Sequence, residues 1–91
     1  MSQYWVYVVR CSDGSLYTGV TIDLPRRLAQ HNAGFASKYT RSRRPVRLAY
    51  SERVEGRGTA LKREFEIKRL SRSAKLLLCK SHATRGSFSL R

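Results

Sequence analysis

Residues 4–11, YWVYVVRC, form a run of β-branched and aromatic side chains, and residues 16–21, LYTGVT, form a second. Runs of this length and composition read as strands, with the intervening SDGS as a hairpin turn. A three-residue loop, Ser12-Asp13-Gly14, would place Gly14 in the left-handed conformation such hairpins favour. That register pairs Cys11 with Ser15, Val9 with Tyr17 and Tyr7 with Gly19. Tyr7 and Tyr17 then share a face, because strand side chains alternate. A two-residue loop would put them on opposite faces.

Downstream the period lengthens. Asp23 is placed to cap a helix that opens with Leu24-Pro25 and stops at Asn32-Ala33-Gly34. At about 100° per residue, Leu24 and Leu28 mark its buried side, and Arg27 and His31 lie an i,i+4 step apart on the rim. Residues 35–44, FASKYTRSRR, read as a basic loop carrying Lys38, Tyr39, Arg41, Arg43 and Arg44 without an acid. Pro45 leads into a third strand, Val46 to Ser51, and Arg53 to Gly58 reads as a turn. A second helix fits Arg57 or Thr59 to Leu70, with Thr59 as its candidate cap. On its wheel Ala60, Leu61, Phe65, Ile67 and Leu70 span an arc of roughly 220°. Glu64 falls near the middle of that arc and Lys68 within it. A carboxylate there is costly unless a basic partner, hydrogen bonds or a cation compensate it. Ser71 caps a third helix, Arg72 to about Lys80. The pattern predicts one α+β domain over residues 1–80, followed by a polar, basic, mobile tail over 81–91.

Charge adds a partner to this picture. Nineteen Lys and Arg stand against six Asp and Glu in 91 residues, a net charge of +13 and a sequence pI near 10.9. Such a field calls for a polyanion, and nucleic acid is the expected one. A membrane span and a signal peptide are both missing from the pattern, so the expected location is cytoplasmic and no membrane partner is expected. Cys11 and Cys79 are too far apart in sequence to suggest a metal cluster or a disulfide framework, and reduced thiols are expected. A monomer or weak dimer is expected.

Tyr7, Tyr17, Arg27, His31 and Glu64 together have the chemistry of a metal-dependent phosphodiesterase. One carboxylate holds a divalent cation against the phosphate. A guanidinium neutralises charge on the phosphoryl oxygens. A tyrosine or histidine orients or deprotonates water.

These residues stand in motifs that resemble the GIY-YIG nuclease superfamily, over about residues 4–80. Trp5-Val6-Tyr7 stands where that family has Gly-Ile-Tyr, and Tyr17-Thr18-Gly19 where it has Tyr-Ile-Gly. Arg27-Leu28-Ala29-Gln30-His31 matches its Arg-x-x-x-His helix, and Ala60-Leu61-Lys62-Arg63-Glu64 matches its Ala-Leu-x-x-Glu. The nearest branch by resemblance is the small stand-alone bacterial one, which also shares HNAG, KYTRSRRPVRL and EFEIKRL. The resemblance implies a three-stranded antiparallel sheet flanked by helices and a DNA endonuclease with one Mg²⁺ or Mn²⁺ on Glu64. It further implies Tyr7 as general base or water-positioning group and Tyr17 as a second hydroxyl at the phosphate. Arg27 would stabilise the pentacovalent phosphate, and His31 would assist proton transfer or hydrogen-bond the tyrosine or the phosphate. Tyrosine has an ordinary pKa of about 10, and a neighbouring cation and guanidinium are expected to lower it. Lys38, Tyr39, Arg41, Arg44 and Lys68 are the expected nucleic-acid contacts, with DNA as the partner and RNA as the second candidate. Two other classes remain beside the nuclease: a binding module that keeps the fold without efficient cleavage, and a basic structural protein of a nucleoprotein.

Overall fold

A computed structural model describes residues 2–89, with side chains described through Ser81. The elements run β1 (Gln3–Arg10), β2 (Leu16–Thr21), α1 (Leu24–Ala33), α2 (Lys38–Arg41), β3 (Arg47–Glu55), α3 (Arg57–Lys68) and α4 (Arg72–Ser89). The strands form an antiparallel sheet in the order β2-β1-β3. This is the α+β architecture expected from the sequence.

The central strand explains the unbroken apolar run. Val6, Tyr7, Val8 and Val9 are all fully buried, because helices cover both faces of the sheet. On one face Val6 and Val8 meet Tyr50 and, from α3, Ala60 and Ile67, with Leu78 and Cys79 of α4 packed alongside. On the other, Tyr7, Val9 and Cys11 meet Leu24 of α1 and Val46, with Tyr17 and Leu28 alongside.

The hairpin takes the three-residue loop. Val9 faces Tyr17 and Tyr7 faces Gly19. The Cys11 amide donates to the Ser15 carbonyl at 2.8 Å, and Gly14 has φ +86°. Asp13 accepts from the Ser15 amide at 3.0 Å, which sets the turn. The Asp23 side chain caps α1 through the Arg26 amide, and Gly34 ends the helix at φ +90°.

Several local expectations give way. Residues 35–44 are not all loop: Ser37 accepts from the Thr40 amide and caps the one-turn helix α2. β3 continues to Glu55, four residues past the expected stop at Ser51, because its whole length pairs with β1 back to Gln3. The turn thus shrinks to Gly56, whose φ of +91° starts α3, and Thr59 makes no cap. α3 buries a narrower stripe than its wheel suggests. Ala60 and Ile67 are inside, whereas Leu61, Phe65 and Leu70 are exposed. Arg63 occupies the flank instead, donating to Glu52 of β3 at 2.8 Å and to Glu66 at 3.3 Å. Tyr50 closes this network by donating to Glu52. α4 runs on to Ser89, past the stop expected near Lys80. The expectation of a mobile tail over 81–91 lies outside the described side chains.

Candidate active site

Tyr7 is placed by the middle of β1 and points towards α1. Opposite it in β2 is Gly19, and the tyrosine ring lies across this glycine. A Cβ built at Gly19 would sit 2.5 Å from Tyr7 Oη and 2.6 Å from Cζ. Gly19 is therefore required for close approach rather than for a turn.

The space taken from Gly19 lets the Tyr7 hydroxyl reach the far end of α1. Tyr7 Oη and His31 Nε2 are 2.8 Å apart, and His31 Nδ1 is 2.8 Å from Thr40 Oγ1 of α2. Ser37 Oγ lies 3.0 Å beyond Thr40 Oγ1. The guanidinium of Arg27 lies close enough for its charge to favour the Tyr7 phenolate. Either tautomer of the imidazole satisfies this chain, with the Tyr7 hydroxyl donating to Nε2 or accepting from it. When Tyr7 donates to Nε2, Nδ1–H of His31 donates to Thr40. His31 is fully buried, not on the helix rim as its spacing suggested, because Tyr7 and Thr40 enclose it from both ring nitrogens.

Tyr17 shares this face, as the three-residue loop required. Its ring meets the His31 ring edge-on at 5.4 Å and stacks on Tyr39 at 5.9 Å. Arg27 is half-buried and is steadied by Nε donating to Gln30 Oε1 at 3.0 Å. Glu64 lies on α3. Its side chain is 20% exposed and pairs with Lys68 at 3.1 Å. Its charge acts on Tyr7, raising the phenol pKa.

Burial dominates the titration of the site. It pushes Tyr7 up to about 12, and Arg27 only partly offsets this. The expected lowering of the Tyr7 pKa is thus reversed in the protein alone: desolvation outweighs one guanidinium. Burial, with the Arg27 charge, holds His31 below the ordinary imidazole value of 6.5. Near neutral pH the pair is a neutral phenol hydrogen-bonded to a neutral imidazole.

The predicted nucleic-acid contacts divide. Lys38 and Arg41 are exposed on α2. Arg44 is exposed but ties the loop together, donating to the carbonyls of Arg41 at 2.8 Å and Asn32 at 3.4 Å. Tyr39 anchors the loop, with its ring on Tyr17 and the Arg43 guanidinium 3.9 Å over it. Lys68 is engaged by Glu64.

Sequence reasoning missed Thr40, fully buried as the second partner of His31. It lies in a segment without apolar periodicity, so no pattern marked it. Reasoning also missed Arg43, which joins the loop to the hairpin through Asp13 at 3.1 Å.

The donor set fits a hard divalent cation bound by few protein ligands. Among the described residues there is no cluster of three or more His, Cys, Asp or Glu side chains. Glu64 offers one carboxylate whose charge is felt at the Tyr7 phenol, and Mg²⁺ commonly takes one or two carboxylates and keeps water and phosphate oxygens for the rest. Among the described residues no helix is long and apolar enough to cross a membrane.

Comparison with known proteins matches the chain to a family. The GIY-YIG catalytic domain matches residues 3–77. A UPF0213 protein of Staphylococcus aureus is 52% identical over 80 residues, covering 88% of this chain and 98% of its own. One from Staphylococcus saprophyticus is 50% identical over 78 residues, covering 86% and 95%. The solution NMR structure of the UPF0213 protein BH0048 from Bacillus halodurans is 41% identical, with a TM-score of 0.56 over 86% of this chain and 83% of that one. That of EF2693 from E. faecalis is 35% identical, with a TM-score of 0.57 over 100% and 91%.

Proposed function

Since the chain belongs to the GIY-YIG nuclease superfamily, we propose that it is a divalent-metal-dependent DNA endonuclease of low sequence specificity that acts on DNA structure in repair or processing. One observation carries this reading. The hydroxyl of Tyr7 is hydrogen-bonded by His31 and is acted on by Arg27, Tyr17 and Glu64. Groups from β2, α1 and α3 thus act on one β1 hydroxyl, His31 by contact and the others through their charge. A fold needs no such convergence of polar groups for stability, whereas in-line attack on a phosphodiester does.

Tyr7 orients the attacking water and relays its proton. A phenol with a pKa near 12 is a poor free base. By donating its own proton to His31 Nε2, 2.8 Å away, it can accept one from water as it gives one up. His31 is then the net acceptor, with Thr40 holding the Nδ1 proton in place. Tyr17 contacts a phosphate oxygen, and Arg27 neutralises the charge that develops on the pentacovalent phosphate. Mg²⁺ or Mn²⁺ held by Glu64 would stabilise the leaving 3′ oxygen and favour phenolate at Tyr7. The products are 5′-phosphate and 3′-hydroxyl ends. Lys38 and Arg41 hold the flanking backbone, and Arg44 and Lys68 add charge.

The Glu64–Lys68 pair favours a second reading, a DNA-binding module without cleavage, because Lys68 occupies the carboxylate a cation would need. Incubating the wild-type protein with single-stranded, duplex, nicked and branched DNA, in Mn²⁺ or EDTA, separates the two. The nuclease reading expects cleavage in Mn²⁺ alone on at least one substrate. Tight binding with no cleavage on any of them establishes the module.

A further inference from the structure

Arg10 ends β1, and its partner across the ladder in β3 is Arg47. Directly opposed side chains on antiparallel strands have Cβ atoms about 4.5–5.5 Å apart and lie on one face of the sheet. Two like charges in that relation destabilise the pair unless something neutralises them. Both residues are exposed.

The described residues supply no counter-charge there. Of its six acidic residues, Asp13 pairs with Arg43, Glu52 and Glu66 with Arg63, and Glu64 with Lys68. Asp23 caps α1. Glu55 lies at the opposite end of β3, facing Gln3. Among the described residues neither Arg10 nor Arg47 has a carboxylate within ion-pairing distance.

The pair instead borders open space. A concave pocket of about 500 Å³ is lined by both arginines together with Ser12, Pro45 and Leu48. A β-bulge shapes it: Val8 faces Tyr50 and Val9 faces Leu48, so Ala49 is passed over and the arginines fall into register. Along β1, Arg10 shares the face of Val6 and Val8, away from Tyr7. Its charge reaches Cys79 on α4. The basic segment from Lys38 to Arg44 runs through Pro45 and Val46 into Arg47 and is joined to the hairpin where the Ser12 amide donates to the Arg43 carbonyl at 2.9 Å. Positive charge therefore continues around the end of the sheet.

We propose that Arg10 and Arg47 form a phosphate-binding site at the hairpin end of the sheet, distinct from the tyrosine site. The phosphate comes from the DNA backbone beyond the reacting segment or from a free phosphate-bearing molecule. The DNA source rests on the nuclease reading above; the site itself does not.

The test uses the full chain in EDTA, followed through the arginine Nε–Hε NMR signals. Inorganic phosphate and an uncleaved short duplex are titrated separately into wild type, R10Q/R47Q and R47E. Saturable shifts of the Arg10 and Arg47 signals with phosphate, lost in R10Q/R47Q, establish the site. If DNA is the source, the slope of log affinity against log salt falls by about 0.9 in R10Q/R47Q, the value for one neutralised phosphate. Phosphate shifts with an unchanged slope keep the site and assign it to a free phosphate-bearing molecule. The slope change in a protein that cleaves nothing keeps the site and removes the nuclease reading. Without phosphate, R47E melts higher than wild type, because a like pair becomes an opposite one. No shift with either ligand, together with an unchanged slope, overturns the proposal.

Discussion

Gly19→Ala is the sharpest single perturbation of the site. The added Cβ would lie 2.5 Å from Tyr7 Oη and 2.6 Å from Cζ, where ordinary contact begins at 3.4 Å. The ring must retreat by roughly an ångström. Gly19 is held in the β1–β2 ladder, so the tyrosine moves rather than the strand. Overpacking of this kind costs about 1–3 kcal/mol. Retreat also breaks the Tyr7–His31 hydrogen bond and leaves a buried nitrogen unsatisfied, a further cost of about 1–3 kcal/mol. The sum is about 2–6 kcal/mol, and at about 4–8 °C per kcal/mol Tm falls by at least about 8 °C. Thermal melts by circular dichroism measure this, with Gly14→Ala as the comparison. Gly14 has a positive φ but nothing within 4 Å of an added Cβ, so only the backbone term of about 1–2 kcal/mol applies. Cleavage is lost in Gly19→Ala and kept in Gly14→Ala. A Gly19→Ala protein with wild-type Tm and wild-type cleavage would refute the placement of Tyr7 over Gly19.

Thr40→Val leaves Nδ1 of His31 buried without its partner and costs about 1–3 kcal/mol, which Thr40→Ser restores in chemical denaturation. His31 is held neutral, so wild-type stability is fully present above pH 6.5 and declines as pH falls below it; a His31→Gln protein lacks that component of the acid limb. Tyr7 is raised from 10 to about 12, so its contribution is intact below pH 10 and is lost as pH climbs through about 12. Absorbance titration at the phenolate band shows this late-titrating tyrosine in wild type and not in Tyr7→Phe. Lys68→Ala frees Glu64 from an i,i+4 pair worth about 0.3–0.5 kcal/mol and tightens apparent Mn²⁺ binding about twofold, measured by Mn²⁺ relaxation; weaker binding contradicts the competition.

Much of this site is legible because each strand and helix carries its residues at a fixed step. Tyr7 and Tyr17 share a face once the Ser12-Asp13-Gly14 loop sets the register. The charge of Arg27 reaches the hydroxyl from one turn before His31. Asp23 and Gly34 bound α1 where capping chemistry puts them. What fails to read through is tertiary. Leu61 and Phe65 look like core residues on a wheel, but Arg63 docks α3 on Glu52 of β3 and turns them out to solvent. β3 is extended by pairing with β1, a partner about 50 residues away in sequence that no local pattern of Arg53 and Glu55 announces. Thr40 and the rise in the Tyr7 pKa follow from enclosure by three elements at once, and enclosure has no local signature.

Single-turnover cleavage of a labelled branched DNA in Mn²⁺, comparing wild type with Glu64→Gln, tests the catalytic assignment most directly. The substitution keeps the size of the side chain and removes the anionic ligand. Loss of a metal contribution of several kcal/mol, at about 1.36 kcal/mol per tenfold, lowers the rate at least about 100-fold while DNA affinity is retained. Cleavage by Glu64→Gln at the wild-type rate contradicts it.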